Sequence, residues 1–275
     1  MFEPFIVSAH SIASKRGDPI GNLLRIEEGC RSAVAKGSRM AVFPELSVSG
    51  YWLSEEAGAV AETLEGDSVG ALSRISTECG LIVCAGLIER RGNDLYNTQV
   101  FVGGGRLLGH QSKTHVTPRT EELYYRSETD YRVIETELCP LACAICYDNH
   151  FPETSLIAKA LGACLLVQPY CCGRWSPDWM REDFLNQIEY RVRCRDTGMF
   201  AIGANQCGQR DERGDYGSWC YIIDPFGEYV ARTDPGTIGD HMVVAEISPE
   251  VVRRRMERLP AQYRRWDDFK LLSPE

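Results

Sequence analysis

At 275 residues and 44% hydrophobic side chains, the chain is long enough to bury a substantial core. A net charge of −9 argues against a nucleic-acid-binding surface, and no apolar run approaches the ~18 residues of a membrane span. No Pro- or Ser-rich linker and no repeat marks a boundary, so residues 1–275 read as a single domain.

Met1-Phe2-Glu3-Pro4 lacks the basic start of a signal peptide, and a strand-like run follows at once. That points to a cytoplasmic protein whose 12 cysteines stay reduced. Phe5 to Ala9 reads as the first strand. Asp18-Pro19 starts a helix, with Asp as cap and Pro in the first turn. Ile20, Leu23, Leu24, Cys30 and Val34 give it an apolar stripe, and Gly37 ends it. Met40 to Phe43 is a strand that delivers Pro44-Glu45. Val69, Leu72, Ile75 and Cys79 mark one face of a second helix, closed by Gly80. A strand over Leu81 to Leu87 precedes a hairpin, 97–102 and 106–111, turned at Gly103-Gly104-Gly105. A phosphate cradle at these glycines is a weak reading, because no helix start follows.

Leu141 to Ile145 is a short apolar run of the kind buried on both faces, and it runs into Cys146. A polar turn follows, then a helix from Pro152-Glu153 to Leu161. Strands over 163–167 and 199–204 flank a long helix, 178–194, carrying Leu185, Ile188 and Val192. Strands over 219–223, 228–231 and 241–247 and a helix over 249–258 complete the chain. This alternation argues for α/β layers.

Three strand ends thus carry chemistry: Glu45, Lys113 and Cys146. Ligands and reacting groups of open α/β sheets gather at carboxyl ends of strands. A carboxylate, an ammonium and a thiol from three such ends can converge on one pocket. A thiol attacks carbon as thiolate and needs a base or a cation beside it. His150 and His115 offer a Cys-His alternative. A metal reading of Cys143 and Cys146 is poor, since residues three apart on a strand face opposite ways. The segment from Gln168 to Trp179 is the other pocket candidate, with Arg174 as a bidentate clamp for a substrate carboxylate and Trp175 as an aromatic wall.

Phe43-Pro44-Glu45, Lys113-Thr114-His115, Ile145-Cys146-Tyr147-Asp148 and Phe151-Pro152-Glu153 together resemble the nitrilase (carbon-nitrogen hydrolase) superfamily. Gly17-Asp18 with Asn22, Asn205-Gln206-Cys207-Gly208 and Ile223-Asp224-Pro225-Phe226-Gly227 extend the likeness over nearly the whole chain. The resemblance implies a four-layer α-β-β-α sandwich and a homodimer or larger assembly, with 249–275 available to its interface. It implies a triad of Glu45, Lys113 and Cys146, without metal or cofactor. Glu45 would move protons, Lys113 and the backbone N–H of Tyr147 would hold the oxyanion, and Cys146 would attack. A second glutamate shortly after the lysine is best matched by Glu121. Asn149 and His150 stand where the family's turn lines the pocket, in place of its common Arg or Trp. The segment Phe151-Pro152-Glu153 points to small amides or N-carbamoyl compounds rather than nitriles. A nitrile substrate for the same triad, and a non-catalytic binding relative, are the alternatives.

Overall fold

A computed structural model describes residues 2–173, 179–211, 214–234 and 237–258; for 179–186 and 209–215 it describes no side chains. Arg174, Trp175 and residues 259–275 lie outside the described residues.

Two sheets carry the chain. The first contains β1 (Phe5–Ser11), β2 (Ser38–Val42), β3 (Ile82–Arg91), β4 (Asp94–Gly103), β5 (Arg106–Ser112) and β13 (His241–Ile247), in the order β13-β1-β2-β3-β4-β5. The second contains β6 (Leu141–Cys143), β7 (Leu165–Tyr170), β8 (Phe200–Asn205), β11 (Cys220–Ile223) and β12 (Tyr229–Arg232), in the order β12-β11-β8-β7-β6. The short pair β9 (Gly208–Asp211) and β10 (Gly214–Tyr216) stands apart. In each sheet three parallel strands are extended by antiparallel ones: β1, β2 and β3 by β4 and β5 on one side and by β13 on the other, and β6, β7 and β8 by β11 and β12.

The alternation of side chains decides the layers. Met40, Val42, Ile82 and Cys84 of the first sheet meet Leu141, Cys143, Leu165, Val167 and Ile202 of the second in one buried cluster. Their neighbours Ala41, Val83 and Ala85 face outward, under α1 (Pro19–Val34) and α2 (Asp67–Cys79). Ala142, Leu166 and Ala201 face the other way, toward α3 (Pro152–Ala160) and α4 (Trp179–Thr197). The result is a four-layer α-β-β-α sandwich, closed by α5 (Pro249–Arg258). No helix among the described residues is long and apolar enough to cross a membrane.

Several expected details shift. The buried face of α1 is Asn22, Ile26, Cys30 and Ala33, while Ile20 and Leu24 are 77% and 63% exposed. The apolar count misleads because a polar residue holds the buried face. Asn22 donates to Lys15 O and Val48 O and accepts from Lys15 N, so its amide is satisfied inside. On α2 the expected face holds: Val69, Leu72 and Ile75 are buried, and Gly80 caps the helix in the left-handed region at φ 64°. Ile188 of α4 is exposed rather than buried, and the Leu185 side chain lies outside the described residues. The three glycines form a two-residue hairpin turn between β4 and β5, with Gly104 and Gly105 at φ 57° and 75°, which accounts for them without a phosphate.

Candidate active site

Glu45 follows β2 in a turn laid directly on β3. A Cβ at Gly86 would stand 2.3 Å from Leu46 N, so only glycine permits this approach. Val48 N donates to Gly86 O at 2.8 Å and Gly86 N to Ser47 Oγ at 3.1 Å, which fixes the turn. Gln206, at the end of β8, holds the Glu45 main chain by donating to its carbonyl at 3.0 Å. Lys113 follows β5, with its amide on Asn97 O of the neighbouring strand at 2.8 Å. Glu121 sits in a single 3-10 turn beyond it.

These three side chains are fully buried and meet. Lys113 Nζ lies 2.7 Å from Glu45 Oε1 and 2.7 Å from Glu121 Oε2. Asn97 Nδ2 donates to Glu45 Oε1 at 2.7 Å and to Glu121 Oε1 at 3.3 Å. Glu121 also accepts from Tyr51 OH at 3.0 Å, and from the amide and hydroxyl of Thr117 at 2.8 and 2.9 Å. Both its oxygens are saturated. Glu45 differs: its Oε2 is buried and has no hydrogen-bond partner among the described residues.

The protonation equilibria follow from this. Burial pushes Glu45 well above the usual carboxylate range, the charge of a Cys146 thiolate pushes it further, and Lys113 opposes both. Burial works in the same direction on Glu121, but Lys113 and the Thr117 bonds outweigh it and hold this carboxyl below its usual value. Burial alone would lower Lys113, yet the carboxylates of Glu121 and Glu45 drive it well above the usual lysine range, so it stays an ammonium. Two carboxylates around one cation therefore take different states: Glu121 the fixed anion, Glu45 the group able to hold or release a proton.

Cys146 enters from the second sheet. It lies at φ 48°, in the left-handed region that a non-glycine residue occupies at a cost of order 1–3 kcal/mol. The next residues form a 3-10 turn, Cys146–His150, so the strand ends more sharply than the apolar run to Ile145 predicts. Asp148 and Asn149 impose this elbow. Asp148 Oδ2 accepts from Ile145 N at 2.9 Å, and its Oδ1 accepts from Thr114 Oγ1 at 2.6 Å and His115 N at 2.7 Å. One carboxylate thereby ties the residues after Lys113 to the residue before Cys146. Asn149 Nδ2 donates to Ala144 O at 2.8 Å and Cys146 O at 3.1 Å, and its Oδ1 accepts from Gln168 Nε2 at 2.7 Å. A hydrogen bond with the Cys172 thiol, and then burial, raise the Cys146 thiol well above its usual value; Lys113 opposes them. Cys146 thus rests as a neutral thiol rather than a standing thiolate.

Glu45, Lys113 and Glu121 are brought together, and the charges of Glu45 and Cys146 interact. Asn149, expected to line the pocket, is 1% exposed and spends its amide on the elbow. His150, also expected there, turns its Nδ1 to within 2.7 Å of Glu189 Oε2. His115 Nδ1 faces Asp148 Oδ1 at 3.0 Å and its ring stacks on Phe151. Both histidines are occupied away from a Cys-His pairing. Tyr51, Asn97 and Thr117 carry no motif in the sequence, and Gln168 and Gln206 stand there only as the start of the second pocket segment and as part of the Asn205–Gly208 motif, without the roles they have here. Asn97-Thr98-Gln99 in the middle of a strand was the available signal, since buried amides need built-in partners.

The sequence profile of the family described as carbon-nitrogen hydrolase matches residues 6–256. The chain belongs to that family. This carbon-nitrogen hydrolase is 28% identical over 262 residues to the omega-amidase of Xenopus tropicalis, covering 90% of each chain. It is 29% identical over 234 residues to the deaminated glutathione amidase of Mus musculus, covering 78% of this chain and 69% of that one. Its fold matches the carbon-nitrogen hydrolase of Helicobacter pylori G27 with a TM-score of 0.88 at 18% identity, over 98% of this chain and 99% of that one.

Proposed function

We propose that this carbon-nitrogen hydrolase is an amidase that cleaves small amides through a thioester on Cys146. The observation that carries the reading is the asymmetry of Glu45. Oε1 is pinned by Lys113 and Asn97, while Oε2 is buried without a partner. An unpartnered buried oxygen needs an explanation, and a proton in transit supplies one.

Glu45 Oε2 takes the thiol proton as sulfur attacks the carbonyl carbon. The oxyanion that forms is met by the Lys113 ammonium and the backbone N–H of Tyr147. Collapse of this intermediate breaks the C–N bond, and Glu45 returns its proton to the leaving ammonia or amine. Water then enters, loses a proton to Glu45 and displaces sulfur, releasing the acid and restoring the thiol. A raised carboxyl pKa suits a group that must hold a proton through one half-reaction and give it up in the next. Glu121, the fixed anion, keeps Lys113 charged and in place.

Amides are favoured over N-carbamoyl compounds and nitriles by the omega-amidase and deaminated glutathione amidase relatives. The test is a release assay for ammonia and amine across amides, N-carbamoyl compounds and nitriles, run on wild type and Cys146→Ala. Turnover of amides that disappears in a folded Cys146→Ala protein is expected. Preferred release from nitriles or N-carbamoyl compounds would move the substrate class, and no release from any would favour the binding-module alternative. The reading includes a cytoplasmic location and a homodimer or larger homo-oligomer. Cys84, Cys143 and Cys194 are buried and unbridged, an arrangement suited to a compartment where thiols stay reduced. The edge strand β13 and α5, which has no buried residue, support the interface.

A further inference from the structure

We propose that Cys146 and Cys172 form a two-thiol modification site, at which a hydroperoxide converts the pair to an intramolecular disulfide. The effect on activity rests on the assignment of Cys146 as nucleophile; the disulfide itself does not.

Strands β6 and β7 are parallel neighbours, with Cys143 beside Val167 and Ala144 N donating to Val167 O at 2.9 Å. The segments that follow them leave the same edge side by side. One carries Cys146 and the other Cys172. Both side chains pack against the cluster beneath α3 and α4, and the Cys172 thiol lies near enough to Cys146 to push that thiol up. Cys172 is held in place through its main chain. Its amide donates to Asn205 Oδ1 at 2.8 Å and its carbonyl accepts from Asn205 Nδ2 at 2.9 Å. Asn205 is itself fully buried and anchored on Gly217 O at 2.5 Å. Both sulfurs belong to half-buried residues, whereas Cys143, Cys84 and Cys194 are buried. The hydrolytic cycle gives Cys172 no task, so a second thiol against the first is unexplained by amide cleavage.

Its chemistry is that of a resolving cysteine. Glu45 draws the proton from Cys146, and the thiolate attacks the hydroperoxide. An S–O bond forms, the O–O bond breaks and an alcohol or water leaves. Cys172 then attacks the Cys146 sulfur. The S–S bond forms, the S–O bond breaks and hydroxide leaves with the Cys172 proton as water. In sum, two thiols and one hydroperoxide give a disulfide, water and an alcohol. Thiols carried from adjacent strand ends onto one cluster can approach the ~2.05 Å of the bond by side-chain rotation. While the disulfide stands, no thiol is available for attack on carbon. A reductant restores it, and Cys146 is kept from the irreversible sulfinic and sulfonic acids.

The experiment treats wild type, Cys172→Ser and Cys171→Ser with hydrogen peroxide in the native state. Non-reducing peptide mapping follows, with amide turnover measured before and after dithiothreitol. Wild type and Cys171→Ser should yield a peptide linking Cys146 to Cys172 and lose turnover that dithiothreitol restores. Cys172→Ser should carry sulfinic or sulfonic acid at Cys146 and recover on the order of tenfold less activity. A Cys171–Cys172 link in its place, or no link at Cys146, overturns the proposal. Equal recovery by Cys172→Ser overturns it as well. Mapping alone decides the matter even where no amide is turned over, so failure of the amidase reading is seen separately.

Discussion

Asp148→Asn tests how the elbow holds the nucleophile. Asp148 is fully buried and accepts five hydrogen bonds: from Ile145 N, Thr114 N, Thr114 Oγ1, His115 N and His115 Nδ1. Asparagine keeps one acceptor oxygen. At the Oδ1 position, which serves the shortest bonds, that oxygen leaves the new NH2 facing the N–H groups of Ile145 and Thr114. One or two buried donors then lack an acceptor, at about 1–3 kcal/mol each, and charge assistance is lost from the rest. The expected loss of stability is about 2–4 kcal/mol. At roughly 2–4 °C per kcal/mol for a chain of this size, Tm should fall by roughly 4–16 °C. The same bonds align the residues after Lys113 with the turn at Cys146. If a third of the loss appears at the barrier, kcat falls about 3–10-fold, with KM nearly unchanged because Asp148 touches no substrate. Calorimetry and steady-state amide kinetics on the purified variant measure both. A wild-type Tm would refute the hydrogen-bond accounting, and a lowered Tm with unchanged kcat would refute the alignment role.

Three further outcomes are expected. Lys113→Met removes the cation between two buried carboxylates, so kcat should drop by ~10²–10³ or more and stability by about 3–5 kcal/mol; a change confined to KM would make Lys113 a substrate-binding group instead. Because free Glu45 must be ionised to act as base and its pKa is raised, kcat/KM should rise with pH through a limb above the usual carboxylate value of 4.5. Asn97→Leu, which deletes a donor to the ionised form, should move that limb higher still, and an unmoved limb counts against Glu45 as the base. Partial burial would raise Glu128, but Arg91, the Thr129 amide and Arg132 win and hold it down at about 2. Its stabilising contribution is therefore present above the unfolded carboxylate value and lost as pH falls toward 2. Glu128→Gln should lower the urea midpoint at neutral pH, and the gap to wild type should close on acidification; a gap independent of pH would exclude the charge as its source.

Strand ends were legible in the sequence because each apolar run stops at a residue with chemistry: Val42 and Phe43 before Glu45, Ser112 before Lys113, Ile145 before Cys146. Local pattern also gave the buried face of α2. It failed on α1, where Asn22 is buried by virtue of partners at Lys15 and Val48 that no periodicity reveals. The same limit hid Asn97, Tyr51 and Thr117, whose roles exist only after β4, the turn beyond Glu45 and the segment beyond Lys113 have met. Asn149 stands where the family's turn lines the pocket, and in this chain the turn folds its amide back on Ala144 and Cys146. Nearness along the chain says little about direction where the backbone reverses.

The two similar sheets divide the reactive groups unequally. Glu45, Lys113 and Glu121, with Asn97, Tyr51 and Thr117 that hold them, all precede residue 128, on the side of the first sheet. Cys146 alone is carried by the second. The expensive step of taking Glu45, Lys113 and Glu121 out of water is therefore settled within one half of the molecule, and the buried carboxylate of Asp148 ties that half to the other. The nucleophile arrives as a neutral thiol on the other half, guided by apolar packing between the sheets. Sequence drift in β6 to β8 and their loops, Asp148 and Gln206 excepted, can then reshape what reaches the sulfur without unbalancing those ions. Drift at Asn97 and Lys113, on β4 and just after β5, has no such freedom, since a substitution there strands a charge. The prediction for laboratory evolution is an uneven map: changes of substrate accumulating around the second sheet, and near silence around the first.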